Sequence, residues 1–523
     1  MKASSLLTKV SDFLTKQGIQ SYVVGGFVRD VLLGRDTADI DIAMEADAVS
    51  IAPKVATALG GKSVLLDEVN RVSRVVLANK KAPSTKGQWV LDLSTVEGNI
   101  EQDLARRDFT IDAMAVDLRK MANQPHLPTP PPLRKGEEVT PKPPVLIDPF
   151  HGWNDLHQQV IRAVAETAFA SDAARLLRAV RLAAELGFTI DAGTEALIQR
   201  YSHLVASVAG ERVREELLRL LAIPQAEQLA PYLEQLGLLT ATIPELAQMK
   251  GVKQPKEHAW DVFDHSLKTV ATVDFLLRQG TWEYGNEEVL AAAPWSATLS
   301  QHFELKVSSG STRRSLLKLA ALLHDIAKPQ TKAMDANGRM RFLGHAKEGA
   351  ATAAGILERL RFTTKETKLV EIMVRYHLRP GQMSHDELPS RRAIYRYFRD
   401  AGEAGIDILF LSLADHLATR GPHLNLAQWR EHAQRTNYVL TQHFDQESLV
   451  APHKLIDGHD LINIFGISPG PKIGELLETV REAQASGELT TKEEAISYIK
   501  RLLASYPDTH SPKRKAKPIN NPS

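Results

Sequence analysis

The first part of the chain is organised by residues 21–43, which read Ser21-Tyr-Val-Val-Gly-Gly-Phe-Val-Arg-Asp-Val-Leu-Leu-Gly-Arg-Asp-Thr-Ala-Asp-Ile-Asp-Ile-Ala43. Its apolar residues 22–24 predict a short buried strand, and Gly25 and Gly26 predict a turn at which the backbone closely approaches another group. Residues 27–33 predict one or two helical turns. A strand, a glycine turn and a short helix are therefore expected in succession.

Two aspartates mark the strand predicted next, where Asp39 and Asp41 alternate with Ile40 and Ile42. Because side chains alternate along a strand, both carboxylates lie on one face and both isoleucines on the other. Carboxylate oxygens suit Mg²⁺, and a glycine turn offers backbone N–H groups to phosphate. The pattern predicts a site for a divalent metal and a triphosphate. The alternative is an ordinary half-exposed strand that carries two acids on its outer face.

Composition limits the classes of protein to consider. The 523 residues are enough for about three or four domains, each with its own core. Apolar content of 43% and charged content of 24% are ordinary for a globular protein. The net charge of +1 means that any nucleic-acid surface is local. The absence of cysteine excludes disulfides, thiolate zinc sites and cysteine nucleophiles, and no apolar run reaches the length of a membrane span. We therefore expect a soluble cytoplasmic protein that has no membrane partner.

A second motif follows at residues 101–115, Glu-Gln-Asp-Leu-Ala-Arg-Arg-Asp-Phe-Thr-Ile-Asp-Ala-Met-Ala. The adjacent Arg106 and Arg107 can clamp phosphate oxygens in bidentate geometry. The alternative is a solvated cluster of arginine and aspartate ion pairs. With residues 21–43, this motif closely resembles the signature motifs of the class II tRNA nucleotidyltransferases and bacterial poly(A) polymerases, within the DNA polymerase beta superfamily. In that family the second motif is associated with ribose and phosphate recognition, and it usually has Asn where this chain has Asp112.

Asp92 is the candidate for a third carboxylate of the metal site. It lies in the apolar run Val-Leu-Asp-Leu, where a charge is costly without a partner, and the resemblance implies the metal role. The alternative is a capping or turn aspartate. The chain then runs almost directly from Leu93 to Glu101, which leaves little room for the flexible loop of the family's full CCA-adding members. Loss of that loop is associated with addition of only the two cytidines, although another segment could replace it.

A helix is predicted over residues 168–186, where Asp172, Arg175 and Arg178 recur every three residues. This pattern resembles the family's Glu-Asp-x-x-Arg motif, with Ser171 in place of Glu. The resemblance implies that the Asp and Arg hydrogen-bond the Watson–Crick edge of the incoming nucleotide. The alternative is a salt-bridged surface helix. The full predicted nucleotide-binding set is Gly25, Gly26, Arg29, Asp30, Arg106, Arg107, Asp108, Asp172, Arg175 and Arg178.

Histidines and aspartates are distributed over the following part of the chain. Each alone is typical of a satisfied core residue. Together they resemble the His…His-Asp…Asp pattern of HD-domain metal phosphohydrolases. Such ligands suit Mn, Ni, Co, Fe or Zn, and a bound metal could activate water against a phosphate ester, as in trimming a cyclic or terminal phosphate at an RNA 3′ end. The candidate ligands are His265, His324, Asp325, His345, His377 and Asp415.

The predicted fold class is α+β, with a polymerase-beta-type head of mixed sheet and helices followed by all-α domains. Residues 210–217 are predicted to orient helices rather than to contact substrate. The predicted domains are the nucleotidyltransferase head at 1–165, with a Pro-rich insertion at about 121–144, the base-recognising neck at 166–250, the HD domain at 251–430, a helical RNA-binding domain at 431–505 and a disordered basic tail at 506–523.

The predicted function is template-independent, Mg²⁺-dependent addition of C and A to tRNA 3′ ends from CTP and ATP, as CCA or CC, together with phosphohydrolase activity in the HD domain. In this prediction Asp39 and Asp41 hold Mg²⁺. One alternative is a poly(A) polymerase with the same chemistry. Another, of a different class, is an HD metal phosphohydrolase acting on RNA ends or nucleotides.

Overall fold

The computed structural model describes residues 3–78, 87–123, 140–383, 387–445 and 454–505. The chain divides into two compact units. The first comprises Met1–Gln248 and Glu358–Phe362, and the second comprises Met249–Leu357 and Thr363–Ser523. Among the described residues, no helix has the length and apolar character needed to cross a membrane.

A seven-stranded mixed sheet forms the centre of the first unit, in the order β3-β4-β5-β2-β1-β6-β7. Only the pairing of β2 with β5 is parallel; the other neighbouring pairs are antiparallel. The predicted α+β class is confirmed. The strands are β1 Ser21–Val24, β2 Asp39–Met44, β3 Lys62–Asp67, β4 Val72–Ala78, β5 Gln88–Thr95, β6 Ala115–Asp117 and β7 Leu146–Ile147.

The first motif forms the centre of this sheet because its apolar residues are fully buried. Val23 pairs with Ile42, and both side chains have no exposed surface. The helix that follows β1 begins at Gly25, two residues earlier than predicted, because the glycine turn continues directly into the helix. The helices around the sheet are α1 Ala3–Lys16, α2 Gly25–Leu32, α3 Ala48–Leu59, α4 Ile100–Ala105, α5 Leu118–Asn123 and α6 Gly152–Gln158.

The single helix predicted over residues 168–186 is wrong, because the chain breaks at Asp172. This residue is extended, with φ −152° and ψ 98°, and its Oδ1 accepts a hydrogen bond from the Ala174 N–H at 3.2 Å. Aspartate competes for backbone donors in this way, so it favours a helix start over a helix interior. The remaining elements of the first unit are β8 Val160–Ile161, α7 Ala168–Ser171, α8 Ala174–Leu186, β9 Thr189–Ile190, α9 Ala192–Tyr201, α10 Gly210–Ala222, α11 Ala226–Gln235 and α12 Leu238–Thr242.

The second unit is helical apart from two small two-stranded sheets. Its interior forms where α13 (Val262–Leu276) packs against α16 (Arg313–Leu323) and α22 (Gly405–Arg420). The elements up to the start of α22 are α13 Val262–Leu276, α14 Glu287–Ala292, α15 Ala297–Glu304, β10 Lys306–Ser308, β11 Ser311–Thr312, α16 Arg313–Leu323, α17 Lys328–Thr331, β12 Lys332–Met334, β13 Met340–Phe342, α18 His345–Arg359, α19 Thr364–Tyr376, α20 Arg379–Gln382 and α21 Arg391–Ala401. They are followed by α22 Gly405–Arg420, α23 Leu426–Asp445, α24 Gly458–Phe465, α25 Pro471–Ala485 and α26 Lys492–Ser505.

Two of the predicted boundaries lie within or next to helices. The division expected between residues 430 and 431 falls inside α23, so that helix joins the two predicted segments. Helix α5 ends at Asn123, close to the predicted start of the Pro-rich insertion at about 121. Residues 124–139 of that insertion and the basic tail at 506–523 lie outside the described residues.

Candidate functional site

Three carboxylates occupy adjacent strands at the centre of the sheet. In the parallel pairing of β2 with β5, Asp41 lies directly opposite Asp92. Asp39 is exposed and Asp41 partly buried, whereas Ile40 between them is fully buried. Because paired residues of neighbouring strands point to the same face, the structure brings Asp39, Asp41 and Asp92 together.

Burial raises the pKa of Asp41 to about 6; Arg107 opposes this rise and Asp92 adds to it. Asp92 itself receives a bidentate pair of hydrogen bonds from Arg74, at 2.7 Å each. This arginine was not among the residues singled out from the sequence. The ionised form of Asp41 is thus destabilised, and a bound cation would stabilise it. Three neighbouring carboxylates with hard oxygen atoms fit a divalent cation such as Mg²⁺.

The glycine turn lies against this group. Gly25 has a φ of +67°, and a Cβ placed on it would lie 2.6 Å from Arg107 Nη1 and 3.3 Å from Asp41 Oδ2. A Cβ on Gly26 would lie 3.5 Å from Arg29 Nη2. At Gly25 the backbone therefore approaches Arg107 more closely than a side chain would permit, whereas a side chain on Gly26 would make only ordinary contacts.

For the nucleotide addition that the sequence predicts, Gly25→Ala is expected to lower the rate about a hundredfold. The new methyl group would displace the Arg107 guanidinium. The alanine would also have to adopt the left-handed backbone conformation, which costs about 1–2 kcal/mol. Gly18→Ala is the matched control, because Gly18 has φ +72° but nothing within 4 Å of its Cβ position. Single-turnover rates of both variants would test this: an equal loss of activity would show that strain alone, not the contact with Arg107, is responsible.

A buried ion-pair network surrounds Asp112. Its Oδ1 lies 2.6 Å from Arg29 Nη1, and its Oδ2 lies 3.4 Å from Arg178 Nη2. Burial opposes its charge, but these two arginines lower the pKa of Asp112 below its ordinary value. Arg29 also donates from Nε to Asp30 Oδ1 at 2.9 Å. The guanidinium of Arg29 is thus committed to two carboxylates, and Asp112 is a site residue to which the sequence analysis gave no role.

A cavity of about 980 Å³ opens beside Arg178, between the second motif and helices α7, α8 and α10. Arg106 lines it and binds Glu97 at 2.6 Å and Asp103 at 2.9 Å. Asp108 lines it and lies 2.6 Å from Arg178 Nε. The predicted residues on the cavity wall are Arg106, Arg107, Asp108, Asp172, Arg175 and Arg178.

Asp172 and Arg175 meet on the neck side of this cavity. Arg175 Nη2 donates to the Arg106 carbonyl oxygen at 2.8 Å, and Arg175 Nε lies 3.8 Å from Asp172 Oδ2. Arg212 Nη2 donates to the same Asp172 oxygen at 2.7 Å. Burial raises the pKa of Asp172, but the Arg212 guanidinium, the Ala174 N–H and the charge of Arg175 together outweigh burial, so the pKa is lowered. Residues 210–217 are predicted only to orient helices, but Arg212 also lines the cavity and binds Asp172.

The second unit brings together the six histidines and aspartates of the HD pattern. Asp325 Oδ2 lies 3.6 Å from His265 Nε2 and 3.1 Å from His324 Nε2. Its other oxygen, Oδ1, lies 3.4 Å from His345 Nε2 and 3.8 Å from His377 Nε2. The sixth residue, on α22, is Asp415, whose Oδ1 lies 3.1 Å from His265 Nε2. Asp325 is therefore shared between two groups of potential ligands.

Hydrogen bonds fix the direction of three imidazoles. The Nδ1 atoms of His324, His345 and His377 lie 2.8, 2.6 and 2.7 Å from backbone carbonyl oxygens. Because a carbonyl only accepts, each Nδ1 carries a proton, and each ring turns its Nε2 toward Asp325. Burial lowers the pKa of His377 to about 4 and keeps its ring neutral.

This arrangement fits cations between the ligands. The Nε2 atoms of His345 and His377 are 3.3 Å apart, and those of His265 and His324 are 3.2 Å apart. Imidazole nitrogens that converge on one another and on a carboxylate suit a bound cation, and such backbone hydrogen bonds are the usual support of histidine ligands. The two groups with converging ligand atoms are His265, His324 and Asp325, and Asp325, His345 and His377.

Family models match four parts of the chain. Residues 21–162 match the poly A polymerase head domain, and residues 187–250 match the probable RNA and SrmB-binding site of polymerase A. Residues 288–420 match the HD domain, and residues 414–499 match the putative tRNA nucleotidyltransferase domain 2.

Full-length relatives agree with these matches. The A-adding tRNA nucleotidyltransferase of Deinococcus radiodurans is 32% identical over 491 residues, covering 93% of this chain and 96% of the relative. The CC-adding tRNA nucleotidyltransferase of Thermus thermophilus is 32% identical over 486 residues, covering 92% and 93%. The Thermotoga maritima CCA-adding enzyme complexed with tRNA is 22% identical with a TM-score of 0.56, covering 95% of each chain, which shows a shared fold. The chain therefore belongs to the class II tRNA nucleotidyltransferases, the family that joins a poly(A) polymerase head to an HD domain.

Proposed function

We propose that this chain adds two cytidines to tRNA 3′ ends, using CTP. The observation that carries the proposal is that the predicted phosphate-binding and base-reading residues line one cavity. Arg106 and Arg107 lie on its head side, and Asp172 and Arg175 lie on its neck side. One nucleoside triphosphate can therefore contact both sets at once. A cytosine amino group would donate to Asp172, while Arg175 would donate to the ring nitrogen and carbonyl acceptors.

The carboxylates would complete this site. Asp39, Asp41 and Asp92 would hold Mg²⁺, and Arg107 and the N–H groups of the glycine turn would bind the triphosphate. Bound Mg²⁺ would supply stabilisation of the charge on the transferring phosphate and would lower the pKa of the primer 3′ hydroxyl. Asp112 would keep Arg29 and Arg178 in place beside the nucleotide.

The short connection between β5 and α4 favours cytidine addition alone. Strand β5 ends at Thr95 and α4 begins at Ile100. Asn99 caps α4 by accepting from the Gln102 N–H at 2.9 Å, and its own N–H donates to the Gln102 side chain at 3.2 Å. A connection this short and this well bonded does not supply the flexible loop of full CCA-adding members. Addition of A is the second candidate, because the Deinococcus relative named as A-adding is equally similar.

The proposal is tested with tRNA transcripts that end at the discriminator base, at C and at CC. Each would be incubated with Mg²⁺ and with CTP, ATP or both, and the products resolved to one nucleotide. Two cytidines followed by arrest are expected. Extension of the CC-ended transcript alone would identify A addition, and a complete CCA end would contradict the argument from the short connection. Long adenosine tails would indicate a poly(A) polymerase, and no extension would overturn the proposal.

We also propose that the second unit hydrolyses phosphate esters at RNA 3′ ends, with two divalent transition-metal cations that share Asp325. His265, His324 and Asp415 would complete one cation site, and His345 and His377 the other. Such cations supply a polarised water at neutral pH. Elemental analysis after incubation with Mn²⁺, Co²⁺ or Ni²⁺ should give about two ions per chain, and RNA ending in a 2′,3′-cyclic phosphate should be hydrolysed. A single bound ion per chain would contradict the proposal of two cation sites. A lack of hydrolysis with every metal would contradict the proposed activity.

A further inference from the structure

A small hairpin, β12–β13, stands beside the histidine–aspartate centre. Its strands, Lys332–Met334 and Met340–Phe342, pair in antiparallel register. Asp335 organises the turn: its Oδ1 accepts from the N–H groups of Asn337 and Arg339, each at 2.9 Å. Gly338 provides the left-handed residue with φ +69°. The hairpin is therefore well formed locally, although it is largely exposed.

The hairpin is connected to the metal centre through Phe342. The Phe342 carbonyl accepts the hydrogen bond from Nδ1 of the candidate ligand His345. The Phe342 ring lies 5.5 Å from Nζ of Lys328. The same Nζ lies 2.6 Å from Asp325 Oδ2. One residue of the hairpin thus contacts both a candidate ligand and the lysine that pairs with the shared aspartate.

Cationic and apolar side chains share the exposed surface of this hairpin. Within the described part of the chain, the side chains of Lys332 and Arg339 have no salt-bridge partner, and both are exposed. Arg341 is paired with Asp335 at 3.1 Å. Met334 is 61% exposed and Leu343 is 79% exposed. Uncompensated cations attract phosphates, and adjacent apolar side chains can pack against unstacked bases.

We infer that the β12–β13 hairpin binds the last nucleotides of a single-stranded RNA 3′ end and directs its terminal phosphate to the metal centre. The inference rests on the proposed phosphohydrolase function and names the surface that selects its substrate. Lys332 and Arg339 bind backbone phosphates, and Met334 and Leu343 contact bases. Because Phe342 also holds His345, the RNA is placed next to the cation ligands without a separate domain.

The double variant Lys332→Gln/Arg339→Gln tests this surface. For RNA ending in a 2′,3′-cyclic phosphate, its KM should rise about tenfold, and the slope of log KM against log salt should fall by about 1.4, as expected for two lost contacts to a single strand. Hydrolysis of bis(p-nitrophenyl) phosphate, which has no RNA chain, should stay within about twofold of wild type, as should the metal content. Lys365→Gln is the control, since Lys365 is exposed on α19 and lies about 18 Å along the helix from His377.

An unchanged KM for RNA would overturn the inference. So would an equal loss of activity on both substrates, which would indicate damage to the metal centre. A second measurement uses 3′-phosphorylated RNA with 4-thiouridine as its last nucleotide, crosslinked to the full-length protein. Crosslinks within residues 332–347 are expected, and their absence would overturn the inference. If the wild-type protein hydrolyses neither substrate, the proposed hydrolysis fails, and the crosslink alone decides whether the hairpin binds RNA.

Discussion

Asp41→Asn is expected to reduce nucleotide addition by at least about a thousandfold and to leave RNA phosphate hydrolysis within about twofold of wild type. Asp41 lies opposite Asp92 and against the glycine turn, so its charge is central to the predicted Mg²⁺ site. Asparagine keeps the shape but removes that charge. Single-turnover addition of CTP to tRNA, at saturating Mg²⁺, would measure the loss.

Asp36→Asn is the matched control for this change, because Asp36 is an exposed aspartate shortly before the same strand. It should add nucleotides at the wild-type rate. Substantial residual addition by Asp41→Asn would show that the carboxylate is not needed. Loss of both activities would indicate that the substitution disturbs the whole protein and not one site.

Asp41→Asn should also stabilise the metal-free protein at neutral pH. Since the pKa of Asp41 is raised to about 6 in the folded state, the folded protein holds its proton more tightly than the unfolded chain. The stability cost of Asp41 is therefore absent below its unfolded pKa, grows as pH rises from that value to about 6, and stays constant at higher pH. In EDTA, Asp41→Asn should increase the free energy of unfolding more at about pH 7.5 than at about pH 4. The difference between these two increases should be at most about 3 kcal/mol. Urea unfolding of both proteins would test this, and a gain independent of pH would contradict the raised pKa.

Asp325→Asn is expected to abolish phosphate hydrolysis, by about a thousandfold or more, while tRNA extension remains within about twofold of wild type. Each oxygen of Asp325 faces a different pair of histidines. An amide cannot supply an anionic oxygen to both groups, so both cations should be lost. Elemental analysis should show metal content falling from about two ions per chain toward zero.

Asp264→Asn is the control for Asp325→Asn, since it lies one residue before His265 on α13 but is exposed. Its metal content and hydrolysis should match wild type. Retention of one ion by Asp325→Asn would show that the two groups bind independently. Opposite outcomes for Asp41→Asn and Asp325→Asn, one losing addition and the other hydrolysis, would establish two separate sites.

Local sequence patterns were sufficient where a site depends on one element. The alternation of Asp39 and Asp41 with buried isoleucines follows from the period of a strand, and the structure has that arrangement. Local pattern failed at Asp172, because the helical periodicity continues across the break. The spacing of Asp172 and Arg175 predicts one continuous helix, whereas the Asp172 carboxylate starts a new one.

What the sequence by itself determined was the α+β class, the family, and the residue types available for two kinds of metal chemistry. These properties are local, because they depend on motif spacing and on the periods of strands and helices. Only the tertiary structure decided that Asp112 binds Arg29 and Arg178, that Arg212 holds Asp172, and that Asp325 faces two pairs of histidines. The partners in these contacts are brought together by the packing of separate elements. The periodicity of the sequence does not show which buried charged groups pair with each other, because the pairing depends on how the helices and strands pack together.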